Sequence, residues 1–367
     1  YSTLDRAKNA FIEASKKTLR FAKKYGFVPG ARLGGSANVF ALDLKNYKKT
    51  RQEKLMLTLL PEGLGTADDA SPSDLSESEL QEFWYNIGIK TVSVTTNDAA
   101  SSGMQTVLLS LYLPSSTPAE VFTPSFMKGF LDGFVEGCRQ VGCVYFSGET
   151  PQLKNKLYPG KLDIAGALVG IMPAGAEPID GSQLSVGNQI IFIESNGPNE
   201  NGFTTLRDLA SRLPHGYRSP MSNGVEFWRG INNRSILYTP FIQEILKNGI
   251  RPTNIEPITG HGWQKIMRSK KPFRYQIHSM LPVPEVFRFV QKHASLSAQD
   301  MISIFNYGVG LVVFSRDQKD TAHIIRIAEK MKLKAVNAGV VEKSRTREVQ
   351  VLPLNLTLSG ERFLLKK

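Results

Sequence analysis

The amino-acid sequence predicts an α/β (α+β) protein of two domains, and three observations carry that reading. Short apolar runs that read as strands alternate with longer stretches of helical period in both halves of the chain. At 367 residues the chain has room for two cores, at about 100–200 residues each. Residues 173–188 (PAGAEPIDGSQLSVGN) concentrate Pro, Gly, Ser and Asp. They divide the chain nearly in half, so domains are expected over 1–172 and 189–367, with 173–188 as the linker.

Taken in order, Thr3 to Tyr25 places Leu4, Ala7, Phe11, Ala14, Leu19 and Phe21 at helical spacing among Lys and Arg. This predicts an amphipathic helix whose basic face is solvated or touches phosphate or membrane. Arg32 to Ser36 (RLGGS) is a glycine-rich turn leading into the apolar segment Val39 to Leu42. Lys54 to Leu60 reads as a strand that runs into Pro61-Glu62-Gly63-Leu64-Gly65-Thr66. Ala67 to Glu79 reads as an exposed loop, after which Glu82 to Ile89 and Thr91 to Thr96 rebuild order and end in Asn97-Asp98. Met104 to Leu113 is a strand, Phe122 to Gly142 a helix by the spacing of Phe126, Phe130, Phe134 and Cys138, and Val144 to Phe146 a strand ending in Ser147-Gly148-Glu149-Thr150. Ile164 to Met172 is apolar. The second half restarts with strand Gln189 to Ile193, a loop, and helix Phe203 to Leu213. Met301 to Phe305, Gly310 to Phe314 and His323 to Met331 follow as strand or helix pieces around Asn306-Tyr307-Gly308. No repeat of 20–50 residues is present.

Composition narrows the function. Lys and Arg number 45 against 33 Asp and Glu, a net charge of +12, which favours polyanions or phosphorylated ligands. The basic residues are spread along the chain and no DNA or RNA motif accompanies them, so nucleic acid is not expected as a partner. Cys138 and Cys143 are the two cysteines. They make neither a zinc site nor a disulfide framework, and a reducing cytoplasm is the expected location. No apolar run approaches the ~18 residues of a membrane helix, so no membrane partner is expected. The sequence begins at Tyr1 without Met, which leaves a removed leader open.

Three carboxylates share one expected placement. Glu62, Asp98 and Glu149 each stand just past an apolar strand candidate in a loop of small residues, where α/β folds gather ligands. Hard oxygen ligands of this kind suit Mg²⁺ held together with substrate phosphates. For each alone, a helix N-cap or a surface charge is the competing reading. The loop Glu62 to Thr66 lets backbone amides approach an anion, but it is not a Walker loop and no Walker lysine follows. No GxGxxG opens a βαβ unit, no two histidines stand at HxxxH spacing, and no GxSxG is present. His261, in Thr259-Gly260-His261-Gly262-Trp263, is the histidine in a glycine-rich turn, with a structural role as the alternative.

Six segments together resemble the successive motifs of the aminoimidazole ribonucleotide (AIR) synthetase, or phosphoribosylformylglycinamidine cyclo-ligase, family. They are VEGCRQVGCVYFSGET (135–150), DIAGALVG (163–170), SNGPNENGFTTLR (195–207), ITGHGW (258–263), PVPEVFRFVQ (282–291) and IFNYGVGLVVF (304–314). Their order and gaps fit over nearly the whole chain. The wider superfamily includes selenophosphate synthetase, a hydrogenase maturation protein and thiamine-monophosphate kinase.

The resemblance implies two α/β domains, the first a mixed-sheet ATP and dimerisation domain. It also implies ATP and Mg²⁺ as cofactors, a homodimer paired through N-terminal sheets, and a small phosphorylated substrate, formylglycinamidine ribonucleotide. Carried over by motif, Gly63, Gly65, Thr66, Asn97, Gly148 and Thr150 would bind ATP or phosphate, and Glu62, Asp98 and Glu149 the metal. Asp98, Glu149 and Asn199 take the catalytic positions. Asn201, Gly202, Thr259 and His261 take substrate positions. The departures fall at polar positions: Glu62 replaces an Asp, Ala67 a Lys, Asn199 a His, and Ile236 an Arg. They keep a second reading in play, a divergent paralogue that binds nucleotide or a partner without this turnover, or acts on another substrate.

Overall fold

The computed structural model describes residues 2–21, 23–29, 40–45 and 55–359. The expected turn Arg32 to Ser36 lies outside them. The fold is mixed α/β, divided into two compact units, Tyr1–Pro178 and Ile179–Lys367.

The first unit is built on a four-stranded sheet of order β3-β6-β4-β5, with β3 at Leu57–Gly63, β4 at Gln105–Tyr112, β5 at Val144–Glu149 and β6 at Ala165–Ile171. β6 is antiparallel to β3 and β4, and β4 is parallel to β5. A short pair, β1 (Phe27–Pro29) and β2 (Phe40–Leu42), is antiparallel. Phe27 packs with Leu108, Val144 and Ile171 in one core cluster. Helix α1 covers Ser2–Thr18 and so stops short of the expected Tyr25.

Two helices form the other layer. α2 spans Glu77–Ser101 and starts from a capping box, in which Ser76 Oγ accepts the Glu79 N–H and Glu79 Oε2 accepts the Ser76 N–H. After the short α3 (Pro118–Val121), α4 spans Pro124–Val141. It is set by the Thr123 cap and Pro124 at its start and by Gly142 at φ 82° at its end. α4 carries two stripes. Phe126, Phe130 and Phe134 are fully buried, with successive ring centroids 5.2 and 6.0 Å apart. Gly129, Gly133 and Gly137 face α2, where a Cβ on Gly133 would overlap Tyr85 O and one on Gly137 would come within 2.9 Å of Val92. The glycines let the two helix backbones touch.

Asp98 overturns one expectation. The segment Thr91 to Thr96 and the Asn97-Asp98 pair lie inside α2, not at the end of a strand. The β-branched run reads as a strand, but its hydroxyls are absorbed by the helix. Thr91 donates to Ile87 O at 2.9 Å and Thr96 to Val92 O at 2.8 Å.

The second unit holds a seven-stranded sheet of order β13-β12-β9-β11-β7-β10-β8. Its strands are β7 Gln189–Glu194, β8 Asn254–Pro257, β9 Phe273–Ile277, β10 Val309–Ser315, β11 Ala335–Lys343, β12 Glu348–Val351 and β13 Leu356–Ser359. Every pairing is antiparallel except β12 with β9. All seven residues of β10 are buried, making it the centre of the core. The helices are α5 (Phe203–Ala210), α6 (Phe227–Ile231), α7 (Thr239–Lys247), α8 (Glu285–His293), α9 (Ala298–Ile304) and α10 (Gln318–Lys330). Met301 to Phe305 and His323 to Met331 thus resolve as helix, and Gly310 to Phe314 as strand. Since β7 and β8 both run antiparallel to β10, the loops leaving β7 and β8 and the turn entering β10 meet at one end of this sheet.

Candidate functional site

In the first unit four of the predicted positions, Glu62, Gly63, Gly148 and Glu149, stand on two adjacent rows at one end of the sheet. Strand pairing sets Glu62 beside Gly166, Leu111 and Gly148 in one row, and Gly63 beside Ala165, Tyr112 and Glu149 in the next. Glu62 and Glu149 therefore belong to the two edge strands, three strand spacings or about 14 Å apart. They also take opposite faces, because their rows are adjacent. A Cβ on Gly166 would stand 3.8 Å from Thr95 Cγ2, so the Glu62 face is the one α2 covers. Glu149 is exposed.

Glu62 and Glu149 thus lie within strands rather than past their ends. Among the described residues no group of three or more His, Cys, Asp or Glu is placed to hold a metal ion. The Glu62, Asp98 and Glu149 trio is not gathered within one chain. Asp98 is half-buried in the last turn of α2. There the helix dipole disfavours a carboxylate, so local stability does not account for it.

The glycines separate by role. A Cβ on Gly63 or Gly65 would meet nothing within 4 Å, and Gly65 has φ 71°. The loop backbone is open to an approaching anion, and Leu64 N–H fixes it by donating to Ile164 O at 2.8 Å. Thr66 is exposed at its end. Gly148 differs, since a Cβ there would come within 2.6 Å of the Tyr145 hydroxyl, so packing already explains it. Thr150 is half-buried and Asn97 is buried, with Asn97 Nδ2 3.5 Å from Ser93 Oγ.

Just beyond the loop the sequence reading missed a feature. Ala67 and Asp68 are buried, not loop-exposed. Burial first, then the neighbouring Asp69, pushes the Asp68 carboxyl up to about 7. Asp69 itself pairs with Lys161 Nζ at 2.6 Å. Ala67, at the position where the resemblance implies a Lys, is itself buried.

In the second unit the three loops do converge. Ser195 Oγ donates to Gly197 O at 2.6 Å, Asn306 Nδ2 to Gly197 O at 2.8 Å, and Trp263 Nε1 to Asn306 O at 2.9 Å. The strand exits are joined too: Ser195 N–H donates to Gly308 O and Ile258 N–H to Gly310 O, both at 2.9 Å. Gly202, at φ 79°, leaves no space for a Cβ beside the Phe305 ring. Asn201 Oδ1 lies 3.6 Å from where a Cβ on Gly260 would stand. His261 is exposed at φ 73° and caps the 3-10 turn Gly262–Met267.

Asn199 is turned inward. It is buried with φ 55°, and its Oδ1 is 3.3 Å from Ser195 Oγ. It also helps to hold the Tyr238 hydroxyl, which burial and then Glu200 push upward while it donates to Glu194 O at 2.8 Å. This geometry suits a residue that shapes the loop.

A family model described as "AIR synthase related protein, N-terminal domain" matches residues 70–172. The phosphoribosylformylglycinamidine cyclo-ligase of Synechococcus sp. (strain CC9902) is 26% identical over 323 residues, covering 86% of this chain and 87% of that protein. Over residues 70–172 the chain is similar to the AIR synthase-related family. Among solved structures, E. coli HypE, a hydrogenase maturation protein, matches with a TM-score of 0.63 at 18% identity, over 96% of this chain and 94% of that one. A HypE in complex with ATP matches with a TM-score of 0.61 at 13% identity, over 95% and 92%. At those identities the likeness concerns the AIR synthase-like fold alone. No helix among the described residues is long and apolar enough to cross a membrane.

Proposed function

We propose that this AIR synthase-related chain is an ATP-dependent cyclo-ligase that converts formylglycinamidine ribonucleotide and ATP into aminoimidazole ribonucleotide, ADP and phosphate in the cytoplasm. The observation that carries the reading is the pair of loop clusters, each at one end of a sheet. The first offers the open backbone of Gly63 and Gly65 with Thr66 to nucleotide phosphates. The second gathers the loops that carry Asn201, Gly202 and Thr259, and these would take the substrate. The length over which cyclo-ligase relatives match supports it, as does the ATP complex known for a protein of the same fold.

Phosphoryl transfer of this type depends on positioning and charge neutralisation. The amide oxygen attacks the γ-phosphorus, the neighbouring nitrogen closes the ring, and the oxygen leaves on phosphate. The chain's own work is to cradle phosphate on the Gly63–Thr66 amides, with Asn97 and Thr150 supporting, and to orient the ribonucleotide with Asn201, Thr259 and His261. Asn199 would shape that loop through Ser195. Mg²⁺ fits only as an ion brought in on phosphate oxygens, because single carboxylates at Asp98, Glu149 or Glu62 are what one chain offers; bound so, it would neutralise phosphate charge.

A homodimer would add a partner's sheet. The face of β3 turned away from α2 shows Leu57 and Leu59 at 59% and 72% exposure, an apolar edge that a second copy would cover. Incubation with formylglycinamidine ribonucleotide and Mg-ATP tests the reading: ADP and aminoimidazole ribonucleotide should form together. A second reading rests on Ala67 and Asn199, buried where the family carries Lys and His. In it the scaffold binds nucleotide or a partner but lacks this turnover, and ATP would bind with no ribonucleotide consumed.

A further inference from the structure

Tyr238 is a fully buried phenol set against the loop that leaves β7. It stands just before α7, and its hydroxyl lies on β10 at Gly310, where a Cβ would overlap the phenol oxygen. With glycine there, the hydroxyl reaches the exit of β7 and donates to Glu194 O at 2.8 Å. A buried hydroxyl is costly unless it is hydrogen-bonded. This one is met at the residue from which the loop 195–202 departs.

A phenol has one proton to give, and Glu194 O takes it. Toward Asn199, whose side chain also bonds the hydroxyl, the oxygen can then only accept, so the carboxamide presents Nδ2 to Tyr238. Asn199 Oδ1 is left facing Ser195 Oγ, 3.3 Å away, and Ser195 Oγ donates to Gly197 O at 2.6 Å. Asn199 is held at φ 55°, and Asn201 N–H donates across it to Pro198 O at 3.2 Å. The placement of Asn201 is therefore built on a residue whose orientation the phenol sets.

We infer that Tyr238 is a positioning residue: its hydroxyl, through Glu194 O and Asn199, fixes the loop 195–202 and so presents Asn201 to the substrate. The inference rests on reading the second unit as the substrate half. A loop already ordered in the free protein does not have to be ordered on binding, so the gain falls on substrate affinity rather than on the chemical step.

Tyr238→Phe removes the hydroxyl and keeps the ring. In the full chain, hydrogen exchange of the 195–202 amides should speed up by about tenfold or more, with those of the first unit unchanged. Calorimetric titration with formylglycinamidine ribonucleotide should show binding about tenfold weaker, and ATP binding within about twofold of the parent. With Mg-ATP present, KM should rise while kcat stays within about threefold, a split that a general loss of structure does not give. Unchanged exchange in 195–202, or ribonucleotide bound as tightly as by the parent, would overturn the proposal. Should Tyr238→Phe not fold by circular dichroism, Asn199→Ala is read by the same measurements with the same outcomes. A parent that binds the ribonucleotide without ring closure defeats the cyclo-ligase reading alone, since the role of the loop is read from binding and exchange. Ring closure with KM unmoved by Tyr238→Phe does the reverse, and a parent that binds no ribonucleotide overturns both.

Discussion

Thr18 and Tyr145, 127 positions apart, are joined by a side chain acting as a strand: Thr18 Oγ1 accepts the Tyr145 backbone N–H at 2.9 Å. Ser15 Oγ completes the pairing by donating to Tyr145 O at 2.7 Å. The last turns of α1 thus satisfy the free edge of β5, which would otherwise expose unpaired backbone groups. Thr18→Val keeps the shape and removes the acceptor. It should destabilise the first unit by about 1–3 kcal/mol, read as a lower urea midpoint, because a buried N–H is left unmet.

The glycine seam predicts a contrast. Gly133→Ala should destabilise by about 1–3 kcal/mol, since the added methyl meets the backbone of Tyr85 and the two helices must separate. Gly63→Ala meets nothing within 4 Å and should leave the melting temperature nearly unchanged while weakening ATP binding. Thermal shifts with and without Mg-ATP separate the two effects.

Asp68 predicts a pH dependence. Its carboxyl is pushed up to about 7 by burial, against about 3.9 in an unfolded chain. The native state therefore binds the proton more tightly, and stability falls as pH rises from about 4 to 7, then levels off. Asp68→Asn removes this term. Its advantage in unfolding free energy should be small at pH 3.5, grow through that window and stay constant above it. An advantage independent of pH would contradict the assignment.

Much of this architecture is legible in the sequence because the signals are local. The Phe126, Phe130 and Phe134 period marks α4. The Val-Thr run at 91–96 misleads because β-branched residues favour strands on the surface, whereas here intrahelical hydroxyl bonds inside a buried helix override that preference. At the site, the sequence singles out the loops of the second unit, which hydrogen bonds do bring together. What it misses is burial. Ala67, Asp68 and Lys265 sit in polar-looking stretches, and only packing from distant segments removes them from water.

The exposed β3 face predicts self-association. Leu59→Lys puts a charge where a second copy would cover the sheet, and light scattering at micromolar concentration should show a dimer becoming a monomer. Melting of the monomeric variant should change little, because Leu59 is 72% exposed in the single chain. A parent that is already monomeric would contradict this.

Ring closure driven by phosphorylation of the amide oxygen is read directly by isotope transfer. Formylglycinamidine ribonucleotide labelled with ¹⁸O at that amide is incubated with Mg-ATP, and the products are analysed by mass spectrometry. One aminoimidazole ribonucleotide should form per ADP, with the label recovered in inorganic phosphate. ADP released with unlabelled phosphate and intact ribonucleotide, or no turnover at all, would contradict it.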